Sequence, residues 1–185
     1  MNVDDQRLIA DCLAGRTAAF GELVRRYQDR LYNTVFRLVD NPEDARDVVQ
    51  DAFLRAYQSL QSFKGEAQFF TWLYRIAVNA AISVKRKHKP ALALKSGSGG
   101  VEPLDESSFS KPGEALEKAE EERRVQIALN LLSPEHRAVL VLKEIDGKKY
   151  EAMAEILQVP IGTVRSRLHR ARLELREIFL REEEG

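Results

Sequence analysis

The amino-acid sequence predicts an all-α protein built as two small helical domains joined by a flexible linker, the second containing a helix-turn-helix. Three observations predict it. Nearly every patterned segment repeats its apolar residues at helical period, no stretch shows strand alternation, and between Pro90 and Pro112 the periodicity stops. The length of 185 residues suits one domain or two small ones, and 44% hydrophobic with 31% charged residues is the composition of a chain with a core and a solvated surface.

At the N-terminus, "MNVDDQRLIADCLAG" is acidic and has no signal-peptide core. No run approaches the ~18 apolar residues of a membrane span, so the expected location is cytoplasmic. Cys12 is the only cysteine, which excludes an intramolecular disulfide and a cysteine metal cluster; beside Leu8, Ile9 and Leu13 it reads as a small core residue. Over 17–39 an amphipathic helix is marked by Phe20, Leu23, Val24, Tyr27, Leu31, Val35, Phe36 and Val39. The next opens with Asn41 as N-cap, Pro42 at the first helical position and Glu43 and Asp44 in the first turn, where acids oppose the positive end of the helix dipole. Its stripe is Ala45, Val48, Val49, Ala52, Phe53, Tyr57 and Leu60. "SFKGE" breaks the pattern, which restarts along Phe69, Leu73, Ile76, Ala77, Ala80 and Val84. These segments make a first domain over 1–89.

Residues 90–112, rich in Gly, Ser and Pro with no face to bury, read as the linker. Helical pattern returns for a second domain over 113–185, beginning with the acidic "GEALEKAEEERRVQIALNLL". Ser133 caps a helix with Pro134 at its first position, and Gly147 ends it in the left-handed conformation. A short helix "YEAMAEIL", the corner "QVP" and a long helix from about Pro160 to Leu180 follow, the last with the stripe Val164, Leu168, Ala171, Leu175 and Ile178. Short helix, tight corner and second helix make a helix-turn-helix.

Charge is distributed unevenly along this frame. The chain carries 29 Lys+Arg against 29 Asp+Glu, so nothing in the total draws it to nucleic acid. Yet between 160 and 176 there are five arginines and one acid, Glu174. With the stripe turned inward, the other face presents Thr163, Arg165, Ser166, Arg167, His169, Arg170 and Arg172. An ordinary solvated face mixes signs; this one suits a major groove, with bases read near the helix start and phosphates held by flanking arginines. A second basic run, with Arg75, Lys85, Arg86, Lys87 and Lys89 and no acid from 71 to 89, begins among Phe63, Phe69, Phe70, Trp72 and Tyr74. Cations beside aromatics suit single-stranded nucleic acid, although Phe69, Trp72 and Tyr74 also read as core. Residues 40–51, with five acids and one Arg, form a helix that DNA would repel, which points to a protein partner.

Enzyme chemistry has little to stand on. His88, His136 and His169 are not paired at metal-ligand spacing, and there is no Gly-rich phosphate loop. The acids at 43, 44, 47 and 51 share one exposed helix face, which is a poor metal cage. The expectation is no catalytic residue, no metal and no cofactor. A helix-turn-helix regulator would account for 113–185 but leaves 40–89 unexplained.

"NPEDARDVVQDAFLRAYQSLQSFKGEAQFFTWLYRIAVN" and "LLSPEHRAVLVLKEIDGKKYEAMAEILQVPIGTVRSRLHRAR" resemble regions two and four of the extracytoplasmic-function (group IV) sigma factors, in the order and with the linker that family has. The resemblance implies a protein that binds core RNA polymerase, recognises the −35 and −10 promoter elements and helps open the −10 duplex. It implies that Asp44, Asp47, Val48, Gln50, Asp51 and Phe53 meet the clamp helices of the β′ subunit. Phe63, Lys64, Gly65, Trp72, Arg75 and Asn79, with Lys85 and Arg86 of the basic run, would handle the −10 non-template strand. Arg165, Ser166, His169 and Arg170 would enter the −35 major groove, the apolar surface of the second domain would take the β-flap tip, and an anti-sigma factor is a further partner of the kind the family has.

Three positions depart from the family pattern. Ser83 stands where members usually have Asp. Lys149 replaces a capping Ser at an expected cost of ~1 kcal/mol, and Gln158 replaces a turn glycine at a cost of a few tenths to ~1 kcal/mol. The linker adds a constraint of its own. A relaxed coil of 23 residues spans roughly 25–29 Å, whereas the family's two promoter elements lie about 70 Å or more apart along the duplex. Free protein is therefore expected in compact, variable arrangements in which the domains can cover each other's DNA faces, and to bind promoter duplex poorly alone, with polymerase holding the domains apart.

Overall fold

The computed structural model describes residues 3–65, 67–92 and 112–183. Eight α-helices run through these residues: α1 Val3–Leu13, α2 Ala18–Val39, α3 Pro42–Gln58, α4 Phe69–Leu92, α5 Pro112–Leu131, α6 Pro134–Leu140, α7 Tyr150–Leu157 and α8 Ile161–Glu183. A 3₁₀ turn, Leu60–Ser62, follows α3, and a π-helical turn, Val141–Ile145, follows α6. No strand occurs among the described residues.

The expected starts hold. Asn41 Oδ1 accepts from the backbone N–H of Glu43 at 2.9 Å and of Asp44 at 3.0 Å, and Ser133 Oγ accepts from that of His136 at 3.2 Å. Gly147 takes φ +61°. The linker expected over 90–112 lies mostly outside the described residues. At its edge α4 continues through Pro90 to Leu92, three positions past the expected end; the fixed φ of proline is helical, and it lacks only the donor.

α2, α3 and α4 pack on one another, with α1 laid against α2. Asp5, almost fully buried, holds α1 there by accepting from Arg26 at 2.7 Å and from the Tyr27 hydroxyl at 2.6 Å. Desolvation and the carboxylate push the Tyr27 hydroxyl pKa up to about 12. The core is the predicted stripe: Leu23, Leu31, Val35, Ala45, Ala52, Phe69 and Leu73 are closed to solvent. Cys12 is buried with it, and burial raises its thiol pKa. In the second set, α5, α6 and α7 pack on α8, whose Val164, Leu168 and Ala171 face inward as expected.

These two domains also pack on each other. α4 packs against α7 and α6, and the end of α2 meets α6, so the apolar cores run together. Polar joints seal the contact around the C-terminal end of α2, whose last carbonyls lack helical partners. Lys85 Nζ donates to Val39 O at 2.7 Å, Arg137 Nη1 to Leu38 O at 2.8 Å and Gln126 Nε2 to Arg37 O at 3.3 Å. Arg137 is 1% exposed and also donates to Leu129 O at 2.7 Å. Burial lowers its pKa to about 10, against the pull of Asp40, so it stays charged at neutral pH. Its charge sits between two carbonyl-rich helix ends, where a cation is favoured. Asp40 closes α2 in the left-handed conformation, φ 54°, and accepts from Asn130.

Candidate nucleic-acid and polymerase interfaces

The acidic surface is the outer side of α3. Asp47, Gln50 and Asp51 are exposed there and Asp44 is half-buried. Val48 and Phe53, placed on this surface by the resemblance, lie inside at 4% and 7% exposure, because the helix needs its stripe for the core. Their neighbour Leu54 is the apolar side chain that stands out, at 52% exposure, and sequence reasoning missed it. The signal was there: Leu54 falls three residues after Asp51 and four after Gln50, on the polar side of the wheel. Tyr57, expected in the core stripe, is also exposed, and both border a shallow apolar groove with Thr17, Phe20, Gly21, Gln50 and Phe53. Exposed acids on the same helix as an apolar groove suit a basic, amphipathic protein surface better than a nucleic acid.

The second surface lies on α4 and the loop before it. Phe69 and Tyr74 are core, fully buried, so the plain reading of those aromatics was right. Phe63 and Trp72 are half-buried and pack tilted on each other at 5.0 Å between ring centroids, with Phe63 edge-on to Phe69 at 5.9 Å. Gly65, at φ +73°, lets the loop turn back toward the head of α4. The result is a cavity of about 520 Å³ lined by Ser62, Phe63, Lys64, Gly65, Ala67, Trp72 and Arg75, with Glu155 of α7 on its far side. Its aromatic wall and two cations match the needs of a nucleotide: a ring to stack on and charge for the phosphate.

Further along α4 the expected strand-binding residues have protein partners. Asn79 Nδ2 donates to Arg75 O in its own helix and to Ile156 O in α7, each at 2.9 Å. Lys85 is committed to Val39 O, and burial, then the nearby Arg137 charge, lower its pKa. Arg86 Nε donates to Glu135 Oε1 at 2.7 Å; burial would raise the Glu135 pKa, but Arg86 outweighs it and the carboxyl falls below its ordinary value. Ser83, exposed, turns its hydroxyl back to Asn79 O at 2.8 Å.

The third surface is the outer side of α8. Arg165, Ser166, His169 and Arg170 are exposed, and Thr163 and Arg167 are half-buried. Ser166 Oγ donates to Thr163 O at 3.1 Å. Arg172, also exposed, is drawn aside by Glu144, whose Oε1 accepts from Nη2 at 2.6 Å and from Nε at 3.0 Å, raising the guanidinium pKa. The Arg165 guanidinium lies 5.9 Å from the centre of the Tyr150 ring, which ties the exposed basic side of α8 to the head of α7. Among the described residues, no group of three His, Cys, Asp or Glu is arranged to hold a metal.

Comparison with known proteins adds to this geometry. The family model for sigma-70 region 2 matches residues 23–90, and that for sigma-70 region 4 matches residues 122–175. The chain is 38% identical over 177 residues to the ECF RNA polymerase sigma-E factor of Escherichia coli K12, covering 91% of this chain and 90% of the relative. It is 37% identical over 170 residues to the ECF RNA polymerase sigma factor SigW of Bacillus subtilis 168, covering 88% and 90%. A solved complex of the sigma factor RpoE with the anti-sigma factor NepR from Bartonella quintana superposes with a TM-score of 0.66 at 26% identity, over 86% of this chain and 96% of that one.

Proposed function

The chain belongs to the extracytoplasmic-function sigma factors of RNA polymerase, and from that premise we propose which of its surfaces does what. It is a transcription initiation factor and not an enzyme: it binds core RNA polymerase and directs promoter-specific transcription. Residues 1–89 form the part that meets the polymerase and the −10 element, and 113–185 the part that reads the −35 element. Asp47, Gln50 and Asp51, with Leu54 at their centre, dock on the clamp helices of β′. Lys64, Trp72, Arg75 and Asn79 take the opened non-template strand at the cavity beside Phe63. Arg165, Ser166, His169 and Arg170 read base edges in the −35 major groove. The protein works in the cytoplasm, where the polymerase is, and its partners include an anti-sigma factor of the kind that binds RpoE.

The observation that carries this reading is the division of charge. One chain shows an acidic, apolar-centred face on α3 and, over residues 163–172 of α8, a basic face with no acid in that stretch, two surfaces suited to different macromolecules. Run-off transcription with core polymerase on genomic fragments tests it: defined start sites dependent on this protein are expected, and their absence would leave only the helix-turn-helix regulator. Charge reversal at both Asp47 and Asp51 should reduce co-purification with core polymerase by at least about tenfold while DNA binding by α8 persists. Undiminished co-purification would remove the α3 assignment.

A further inference from the structure

Glu174 is the one acid among the five arginines of residues 160–176. Arg170 precedes it by four positions, so the two side chains are neighbours on the helix surface, about 5–6 Å apart at Cβ. A carboxylate in that place opposes duplex binding in two ways. It draws the Arg170 guanidinium back onto the helix, and it sets a negative charge beside the phosphates that a duplex would bring to α8.

The fold supplies a competitor for it from another helix. Ser133 caps α6 and Pro134 takes its first position, which puts His136 in the first turn. There the half-buried His136 ring comes within 2.6 Å of Glu174 Oε2 through Nδ1, across 38 positions of sequence. A carboxylate only accepts, so Nδ1 is the donor. This short bond lies between two packed helices, where less water competes for it. An Arg170–Glu174 pair would be an exposed one, and with the arginine on the N-terminal side it has the weaker of the two orders on a helix. His136 therefore wins the carboxylate.

Glu144 provides the contrast. It too stands beside the basic side of α8, but its partner is Arg172, a cation of that side itself. One acid is neutralised by taking an arginine away from the surface, and the other by a residue that the surface does not need. Arg170 stays exposed.

We infer that His136 is a positioning residue for −35 recognition. It acts through Glu174 and not through a contact of its own with DNA: by holding that carboxylate it leaves Arg170 to the bases and keeps the charge from the phosphates. The inference rests on the reading of α8 as the −35 reader, and adds to it a residue of α6.

Holoenzyme made from core polymerase and the full chain, scored for binding to a promoter library randomised at −35, tests it. His136→Ala should weaken binding to the preferred −35 sequence by about threefold or more, and should flatten base preference at the position that Arg170→Ala flattens. His136→Phe keeps the bulk of the ring without the donor and should do the same. His136→Asn, whose side-chain amide donates from near the place of Nδ1, should stay close to wild type. Adding Glu174→Gln to His136→Ala should restore both affinity and preference, since the amide carries no charge to hold a guanidinium or repel a phosphate. Urea midpoints of the same variants separate a loss of binding from a loss of folding. Wild-type affinity and preference in both His136→Ala and His136→Phe, or a loss that Glu174→Gln does not reverse, would overturn the positioning role. An unchanged profile for Arg170→Ala, with affinity lost in His136→Ala and regained with Glu174→Gln, would keep the role of His136 and remove the base-reading assignment of Arg170 instead.

Discussion

Arg170 looks from the sequence like one half of an i,i+4 pair with Glu174, which would hold it on the helix surface. The fold gives Glu174 another partner: its Oε2 lies 2.6 Å from His136 Nδ1. Arg170 is exposed on α8, while Arg172, two residues on, is tied to Glu144. The two arginines should behave differently on substitution. Arg170→Ala is expected to cost about 1–3 kcal/mol at −35 and to flatten base preference there. Arg172→Ala should lower affinity without changing preference, because its guanidinium already serves the fold. A −35 library scored with wild type and both variants checks this; an unchanged preference profile for Arg170→Ala would end its assignment as a base reader.

At the scale of elements, α7 is the weak one. It has eight residues, and both of its ends break a local rule. Lys149 occupies the N-cap in extended conformation without a side-chain bond to the first turn, and sets a positive charge at the positive end of the helix. Gln158 closes the helix at φ 55° and ψ 43°, a conformation that costs an L-residue with a Cβ about 1–2 kcal/mol. Lys149→Ser should add ~1 kcal/mol of stability and Gln158→Gly roughly 0.5–1 kcal/mol, part of the relief at the glycine being lost to the freer unfolded chain. Urea midpoints of the single and double variants measure both, and near-additivity is expected for opposite ends of the helix. Both irregularities were legible in the sequence, as departures from the pattern of the family it resembles. The π-helical turn before α7 was not, since "VLKEI" reads as ordinary helix, and it is this turn that aims Asp146 at Tyr74.

For the whole molecule the question is how far apart the two halves sit. In the closed arrangement they share a core, so fluorophores on exposed positions of α2 and α8, Arg25 and Glu177, should report a short, narrowly distributed distance. Core polymerase should lengthen it toward the roughly 70 Å that two promoter elements about 20 base pairs apart require. A distance that does not change on adding polymerase would count against the scaffold role of the polymerase.

By itself the sequence determined the helices, their caps and the identity of the exposed charges, because helical period and capping chemistry act over three or four residues and need no knowledge of the rest of the chain. It also determined which side of α8 faces out, since Val164, Leu168 and Ala171 leave no other side for the arginines. Only the tertiary structure decided which of the candidate residues remain available. Asn79 and Arg86 look free on a helical wheel but meet Ile156 and Glu135, 77 and 49 positions away, and Lys85 meets the end of α2. Val48 and Phe53 went to the core and Leu54 took their place on the surface for the same reason. Burial and hydrogen bonding between distant segments depend on how whole helices pack, and residue spacing along one helix does not encode what another helix brings to it.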